Sequence, residues 1–160
     1  MSDSPYRVQQ LDHVELFVPD RYEAARWYEE VLGLTILQEY EYWAEDPSGP
    51  LMISSDGGNT KLALFENAEL SELRGAYDQV AFRTSGPGFL AFMGRVAEQL
   101  ELYGQEGRRL SHNSVRDHHG AYSLQFMDPW GHRLEVTTYE CEYVRARLQT
   151  PSGDQAGSGS

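Results

Sequence analysis

Asp12-His13-Val14 opens a strand-like run near the start of the chain, and 66 residues later (79 − 13 = 66) Asp78-Gln79-Val80 opens another. Farther along, Lys61-Leu62-Ala63 corresponds to Arg133-Leu134-Glu135 at an offset of 72 (133 − 61 = 72). Two nearby offsets that bracket the same succession of patterns predict an internal duplication, which limits the fold more than any local propensity does. The first copy, about residues 8–66, starts with Val14, Leu16 and Val18 alternating with His13, Glu15 and Phe17, the period of a strand with one packed face. Asp20 is placed to cap a helix over "RYEAARWYEEVLGL", with Gly33 at its C-terminal end. "TILQEYEYW", "PLMISSD" and "TKLALFE" then read as three strands, the last two divided by the turn signal "DGGN".

The polar, helix-prone connector "NAELSELRGA" leads into the second copy, about residues 77–142. Here "YDQVAFRT" reads as a strand, "GPGFLAFMGRVAEQLELYG" as a helix, and "RRLSHNSV", "AYSLQFMD" and "HRLEVTTYE" as strands, with "DPWG" turning into the last. The predicted class is α+β, with two βαβββ modules in one chain. At 160 residues and 40% hydrophobic content the chain can bury one compact domain, expected over residues 8–142, and the tail "TPSGDQAGSGS" offers it nothing to bury.

A formal net charge of −12 repels phosphate backbones and anionic lipid, so neither nucleic acid nor a membrane is expected as a partner. No apolar run approaches the ~20 residues needed to cross a bilayer, and "MSDSPYRVQQ" lacks the pattern of a signal peptide, which predicts a cytoplasmic protein. Of the 13 basic residues only Lys61 is a lysine. The one cysteine, Cys141, excludes an internal disulfide and a multi-thiolate zinc site. The sequence contains no G-x-S-x-G elbow, no G-x-x-x-x-G-K-[ST] loop and no G-x-G-x-x-G after a strand, which sets aside hydrolase, kinase and dehydrogenase chemistry.

"LDHVELFVPDRYEAARWYEEVLGL" and "SLQFMDPWGHRLEV" resemble the signature segments of the vicinal oxygen chelate superfamily, which groups glyoxalase I, extradiol ring-cleaving dioxygenases, fosfomycin-resistance enzymes and bleomycin-resistance proteins. The resemblance runs from roughly Val8 to Glu142. It implies that the two modules curl into the halves of a cup-shaped mixed sheet and that the chain pairs as a homodimer. It also implies a divalent metal in the cup, Fe(II), Mn(II), Zn(II) or Ni(II), that holds two oxygens of a small-molecule substrate.

On the same resemblance His13 stands at the first metal-ligand position and Glu135 at the last, an imidazole and a carboxylate suited to such ions. Two positions depart from the pattern. Gln79 stands where the dioxygenases and fosfomycin enzymes have a second histidine; its amide oxygen is a neutral, weaker ligand, though some glyoxalase I proteins use Gln in their site. The glyoxalase I carboxylate on the last strand of the first module corresponds to Ala63, and neither it nor Leu62 or Leu64 can coordinate, so glyoxalase I activity itself is not expected.

Glu15 lies two residues from His13 and hence on the same strand face. It fits a third ligand, a general base, a partner that orients the imidazole, or an ion pair with Arg83. In "RDHHGAY", His118 or His119 matches the place where dioxygenase-like members carry an acid/base histidine. Tyr42 and Trp43 are candidates to face an apolar ligand. The expected function is a metal-dependent enzyme acting on a small oxygenated organic molecule, most like the extradiol dioxygenase branch and thus an oxidoreductase. Its competitor is a metal-free protein that sequesters an apolar or cationic ligand, as the bleomycin-resistance members do; Gln79 and the acidic charge favour it.

Overall fold

The computed structural model describes residues 9–67, 69 and 79–148. Apart from residues 67 and 69, the expected connector helix falls outside them, as does the tail from residue 149 on. The chain divides into two compact units, Met1–Gly75 and Ala76–Ser160.

The first unit runs β1 (His13–Val18), α1 (Arg21–Leu32), β2 (Thr35–Ile36), a 3-10 helix (Gln38–Glu45), β3 (Leu51–Ser54) and β4 (Lys61–Glu66). The strand order is β1-β4-β3-β2, with β1 parallel to β4 and the other pairs antiparallel. Alternation along the strands turns Leu16, Val18, Leu51, Ile53, Leu62 and Leu64 to the face that Ala24, Ala25, Tyr28 and Val31 of α1 cover, and all ten are buried. Each large side chain so buried stabilises the fold by about 1.5–3 kcal/mol. Asp20 caps α1 by accepting from Glu23 N at 2.9 Å. Gly33 ends α1 at φ 70°, a conformation that glycine adopts without penalty.

The second unit repeats the plan with β5 (Gln79–Arg83), α2 (Gly86–Glu98), β6 (Arg116–Asp117), β7 (Tyr122–Met127) and β8 (Arg133–Thr138), then adds α3 (Cys141–Leu148). Its order, β5-β8-β7-β6, again has one parallel pair, β5 with β8. The registers agree as well: His13 pairs with Lys61 and Glu15 with Ala63 in the first unit, Gln79 with Arg133 and Ala81 with Glu135 in the second. Leu124, Phe126, Leu134 and Val136 meet Phe89, Phe92, Met93 and Val96 of α2 in the core. The α+β class and the two βαβββ modules are therefore observed.

Three expected elements differ. The strand over residues 35–43 pairs only at Thr35 and Ile36 before the chain coils into the 3-10 helix. The alternation in "LQEYEYW" imitates a strand, but the guanidinium of the buried Arg21 captures the backbone that follows: it donates to Ala44 O and Asp46 O, each at 3.2 Å, and to Gly49 O. The helix predicted to Gly104 stops at Glu98, where Gln99 N and Leu100 N both turn back to Arg95 O and Leu100 and Leu102 enter the core from extended chain.

The strand expected over residues 108–115 is a hairpin bridge, Tyr103 with Arg109, and a 3-10 turn at His112–Ser114 that Ser111 caps. α3 is the element that the periodicity did not signal, since Val144 is its one buried residue. A Cβ on Gly86 would lie 2.7 Å from Cδ1 of Tyr143, so the start of α2 must be glycine for α3 to dock. Gly86 N also donates to Glu140 Oε2 at 2.6 Å. Among the described residues no helix is long and apolar enough to cross a membrane.

Candidate functional site

Each sheet has a second face that its helix leaves uncovered, and the polar residues of interest project from it. In the second unit the pairings β5–β8 and β8–β7 set Ala81, Glu135 and Gln125 in one row and Gln79, Arg133 and Met127 in the next. Glu135 is half-buried there. One of its oxygens, Oε2, accepts from Gln79 Nε2 at 2.6 Å and from Gln125 Nε2 at 2.9 Å. Two amides thus hold the carboxylate through one oxygen, and among the described residues its second oxygen, Oε1, accepts no hydrogen bond. Since each amide donates its nitrogen to Glu135, the Gln79 carbonyl oxygen is the end left over, and among the described residues it accepts no hydrogen bond.

In the first unit His13, Glu15 and Phe17 share the uncovered face with Lys61, Ala63 and Phe65. His13 Nδ1 donates to Asp12 Oδ2 at 2.7 Å, and Asp12 Oδ1 also accepts from Lys61 Nζ at 3.0 Å. The hydrogen bond from His13, followed by that from Lys61, holds the Asp12 carboxyl below its ordinary pKa. A ring that gives its Nδ1 proton to a carboxylate presents Nε2 as the lone-pair nitrogen, the arrangement in which carboxylates orient metal-binding histidines. Glu15 Oε1 lies 3.7 Å from that Nε2, so Glu15 approaches the ring from the side opposite Asp12.

The two loop histidines part company. His118 Nε2 is 2.8 Å from the hydroxyl of Ser123, a fully buried residue two positions before Gln125 and so on the same face of β7 as Gln125 and, across the sheet, Glu135. His119 turns the loop at φ 68°, its backbone N–H donating to Asp117 Oδ1 at 2.8 Å, and its ring makes no hydrogen bond among the described residues. That backbone hydrogen bond is the main cause that lowers the Asp117 pKa. Tyr42 and Trp43 stand on the 3-10 helix, 59% and 38% exposed, with Trp43 stacked on Tyr40 at 4.8 Å between ring centroids.

Sequence reasoning passed over Asp12 and Gln125. The second was legible in principle, because in "SLQFMD" alternation puts Gln125 out of the apolar set formed by Leu124 and Phe126. Among the described residues no three His, Cys, Asp or Glu side chains gather as a ready-made metal cage. What the units present is partial sets: an oriented imidazole with Glu15 beside it in one, and a clamped carboxylate with an amide carbonyl in the other. Those donors are of the kind that first-row divalent ions accept.

Several solved structures are similar to this chain. The oxidase ChaP-H2 is 26% identical, at a TM-score of 0.58, with 82% of this chain and 94% of that one covered. A glyoxalase/dioxygenase from Nostoc punctiforme is 19% identical, at 0.59, covering 87% and 97%. The fosfomycin resistance protein FosX from Listeria monocytogenes, in a crystal complexed with Mn(II) and sulfate, is 17% identical at 0.55, covering 89% and 99%. No curated protein sequence matches the chain. The sequence model of one family matches residues 10–136, which take in both modules. This chain belongs to the Glyoxalase/Bleomycin resistance protein/Dioxygenase superfamily.

Proposed function

We propose that the protein is a metal-dependent enzyme that acts on a small oxygenated organic molecule, in the oxidative, dioxygenase-like manner of its superfamily and within the cytoplasm. The observation that carries this reading is Glu135, a half-buried carboxylate with one oxygen clamped by Gln79 and Gln125 and the other left open. A residue kept only for solubility has no need of two amides to aim it. The likeness to ChaP-H2, a protein described as an oxidase, supports the oxidative direction, and the Mn(II) in the FosX crystal supports the metal.

In the second unit Glu135, through its second oxygen, and Gln79, through its carbonyl oxygen, would hold an ion, and in the first unit His13, through Nε2, is the donor on offer. When bound, a divalent ion supplies Lewis-acid stabilisation of negative charge that develops on substrate oxygens. The chain's own residues do the rest. Asp12 fixes the His13 ring, and Glu15, 3.7 Å from Nε2, is placed to orient a polar ligand or to take a proton near it. His118 is the acid/base candidate, because its Nε2 exchanges a hydrogen bond with Ser123, a buried hydroxyl on the Glu135 face. His119 is left the role of turning the loop. We further expect a two-fold dimer, so light scattering should give twice the 18.2 kDa of the chain.

A second reading, a metal-free binding protein, draws on Gln79, whose amide in place of an imidazole lowers affinity for late transition ions. Anaerobic isothermal titration with Mn(II), Fe(II) and Zn(II) separates the two. The enzyme reading expects one ion per chain in the wild type, tighter binding in Gln79→His and weaker binding in Glu135→Ala. If the wild type and Glu135→Ala bind every ion equally poorly and Gln79→His gains nothing, the metal-free reading replaces it.

A further inference from the structure

A cavity of about 390 Å³ opens beside the Glu135 clamp, and every described residue of its wall belongs to the second unit. Gln79 and Gln125 belong to both the clamp and the cavity. Among the described residues the other charged groups of the wall are Arg108, Arg109, Arg116 and Arg133, with Glu106 as the one carboxylate. The wall thus carries four positive charges against Glu106 among the described residues, and with Glu135 beside it the local balance is 4 − 2 = +2, in a chain whose net charge is −12. The described residues of this wall are opposite in sign to the protein as a whole.

The arginines do not ride on a loose segment. Gly104 N donates to Arg108 O at 2.9 Å and Leu110 N to Leu102 O at 2.8 Å, which closes a hairpin around a turn where Gly107 takes φ 74°. Tyr103 stitches that hairpin to the sheet by bridging Arg109 on one side and Met127 of β7 on the other. Arg116 begins β6 and is paired with Ser123, while Arg133 begins β8 opposite Gln79. Arg108, Arg109 and Arg116 make no ion pair among the described residues. Like charges gathered around one hollow repel one another, and guanidinium groups bind planar or tetrahedral oxyanions through paired N–H donors. An anion drawn from solution satisfies both conditions.

We propose that this cavity binds an oxyanion, a carboxylate or phosphate group, and that the group is the remote end of the molecule whose oxygens reach Glu135. The second half of that statement rests on the function proposed above; the binding of the anion does not. The cavity volume suits a small organic acid or phosphate ester. The same charges turn away the cationic ligand that the acidic composition of the whole chain would attract. Of the two anchoring groups, carboxylate and phosphate, the titration below shows which is preferred.

The test is isothermal titration of chelator-treated full-length protein, at fixed ionic strength, with inorganic phosphate, acetate and tetramethylammonium. Saturable binding of phosphate or acetate at one per chain is expected, with no binding of tetramethylammonium. A preference for phosphate identifies a phosphate ester as the source, and a preference for acetate an organic acid. Arg109→Ala and Arg116→Ala should each weaken the binding about tenfold, and Arg109→Lys, which keeps the charge and loses the fork, by less. Glu135→Ala, which removes a neighbouring negative charge, should retain or tighten it.

Absence of saturable anion binding overturns the proposal. So does equal binding by the wild type and by folded Arg109→Ala and Arg116→Ala proteins, checked by thermal unfolding. Anion binding that persists where Mn(II) fails to bind supports the cavity assignment and overturns the function proposed above. Mn(II) binding without anion binding overturns the cavity assignment alone.

Discussion

The two units share strand order, register and core pattern, yet the rows on their uncovered faces are written differently. Glu15–Ala63–Met52 in the first unit corresponds to Ala81–Glu135–Gln125 in the second, position for position. The carboxylate has moved from the first strand to the last. In the first unit it sits beside a histidine that Asp12 orients; in the second it is the centre of an amide clamp next to an arginine-lined cavity. The duplicated frame is thus held by apolar alternation and caps, while the polar positions of the second face differ between the units.

The units also secure their connections by different means, and this yields the largest predicted effect. The first unit fixes its 3-10 segment with Arg21, which is 6% exposed, donates to three backbone carbonyls and lies 3.5 Å from Glu66. The second has no such residue at the start of α2 and relies on docking of α3 onto Gly86. Arg21→Ala leaves those carbonyls without their donor and should cost about 2–4 kcal/mol. In thermal unfolding that is a drop of roughly 5–15 °C. A change within 1 °C would mean that the 3-10 segment holds itself.

Metal affinity gives the next largest effect and separates the two faces. Asp12→Ala removes the acceptor that orients His13, and Gln125→Ala removes one of the two amides that aim Glu135. Loss of such supporting partners lowers metal affinity by about 10–100-fold, and Gln125→Ala should fall at the mild end because Gln79 still holds the carboxylate. Mn(II) titration of both variants checks the order. Equal affinities in the wild type and both variants would show that neither unit's donors take part.

How much of this could be read from the sequence differs by level. Strand β1, helix α1 and their caps were legible because Asp20, Gly33 and the Val14-Leu16-Val18 alternation are local signals that packing does not override. The 3-10 helix was not, since "LQEYEYW" alternates like a strand and only a side chain from elsewhere, Arg21, takes its backbone out of the sheet. At the site, His13, Gln79 and Glu135 were named from the family pattern. The Asp12–His13 bond and the Gln125–Glu135 pair depend on side-chain rotamers and on strand register, which a linear sequence does not display. The arginine cavity was hidden for a related reason: Arg108, Arg109, Arg116 and Arg133 are dispersed along the sequence and converge only when the hairpin is stitched to β7.

The smallest effect is one of pH. The folded-state pKa of Asp12 is lowered by His13 and Lys61, so its contribution to stability is present above the unfolded value near 4 and is lost as pH falls through the folded value below that. Asp12→Asn should therefore flatten the acid limb of a stability-against-pH curve below about pH 4, relative to the wild type, and leave the slope at neutral pH unchanged. Asp117 is lowered in the second unit by a backbone N–H, and Asp117→Asn should act in the same direction. Parallel acid limbs in the wild type and both variants would count against these bonds in solution.

The central claim, that the clamped carboxylate of the second unit serves a divalent ion, is tested most directly by the free Mn(II) signal in electron paramagnetic resonance. Wild-type protein and Glu135→Ala, each stripped by chelator and shown to be folded, are titrated anaerobically with Mn(II) at equal concentration. The account predicts that the six-line signal of the free ion is suppressed by the wild type up to about one equivalent and substantially less by Glu135→Ala. A signal left undiminished by the wild type, or suppressed equally by both proteins, would contradict it.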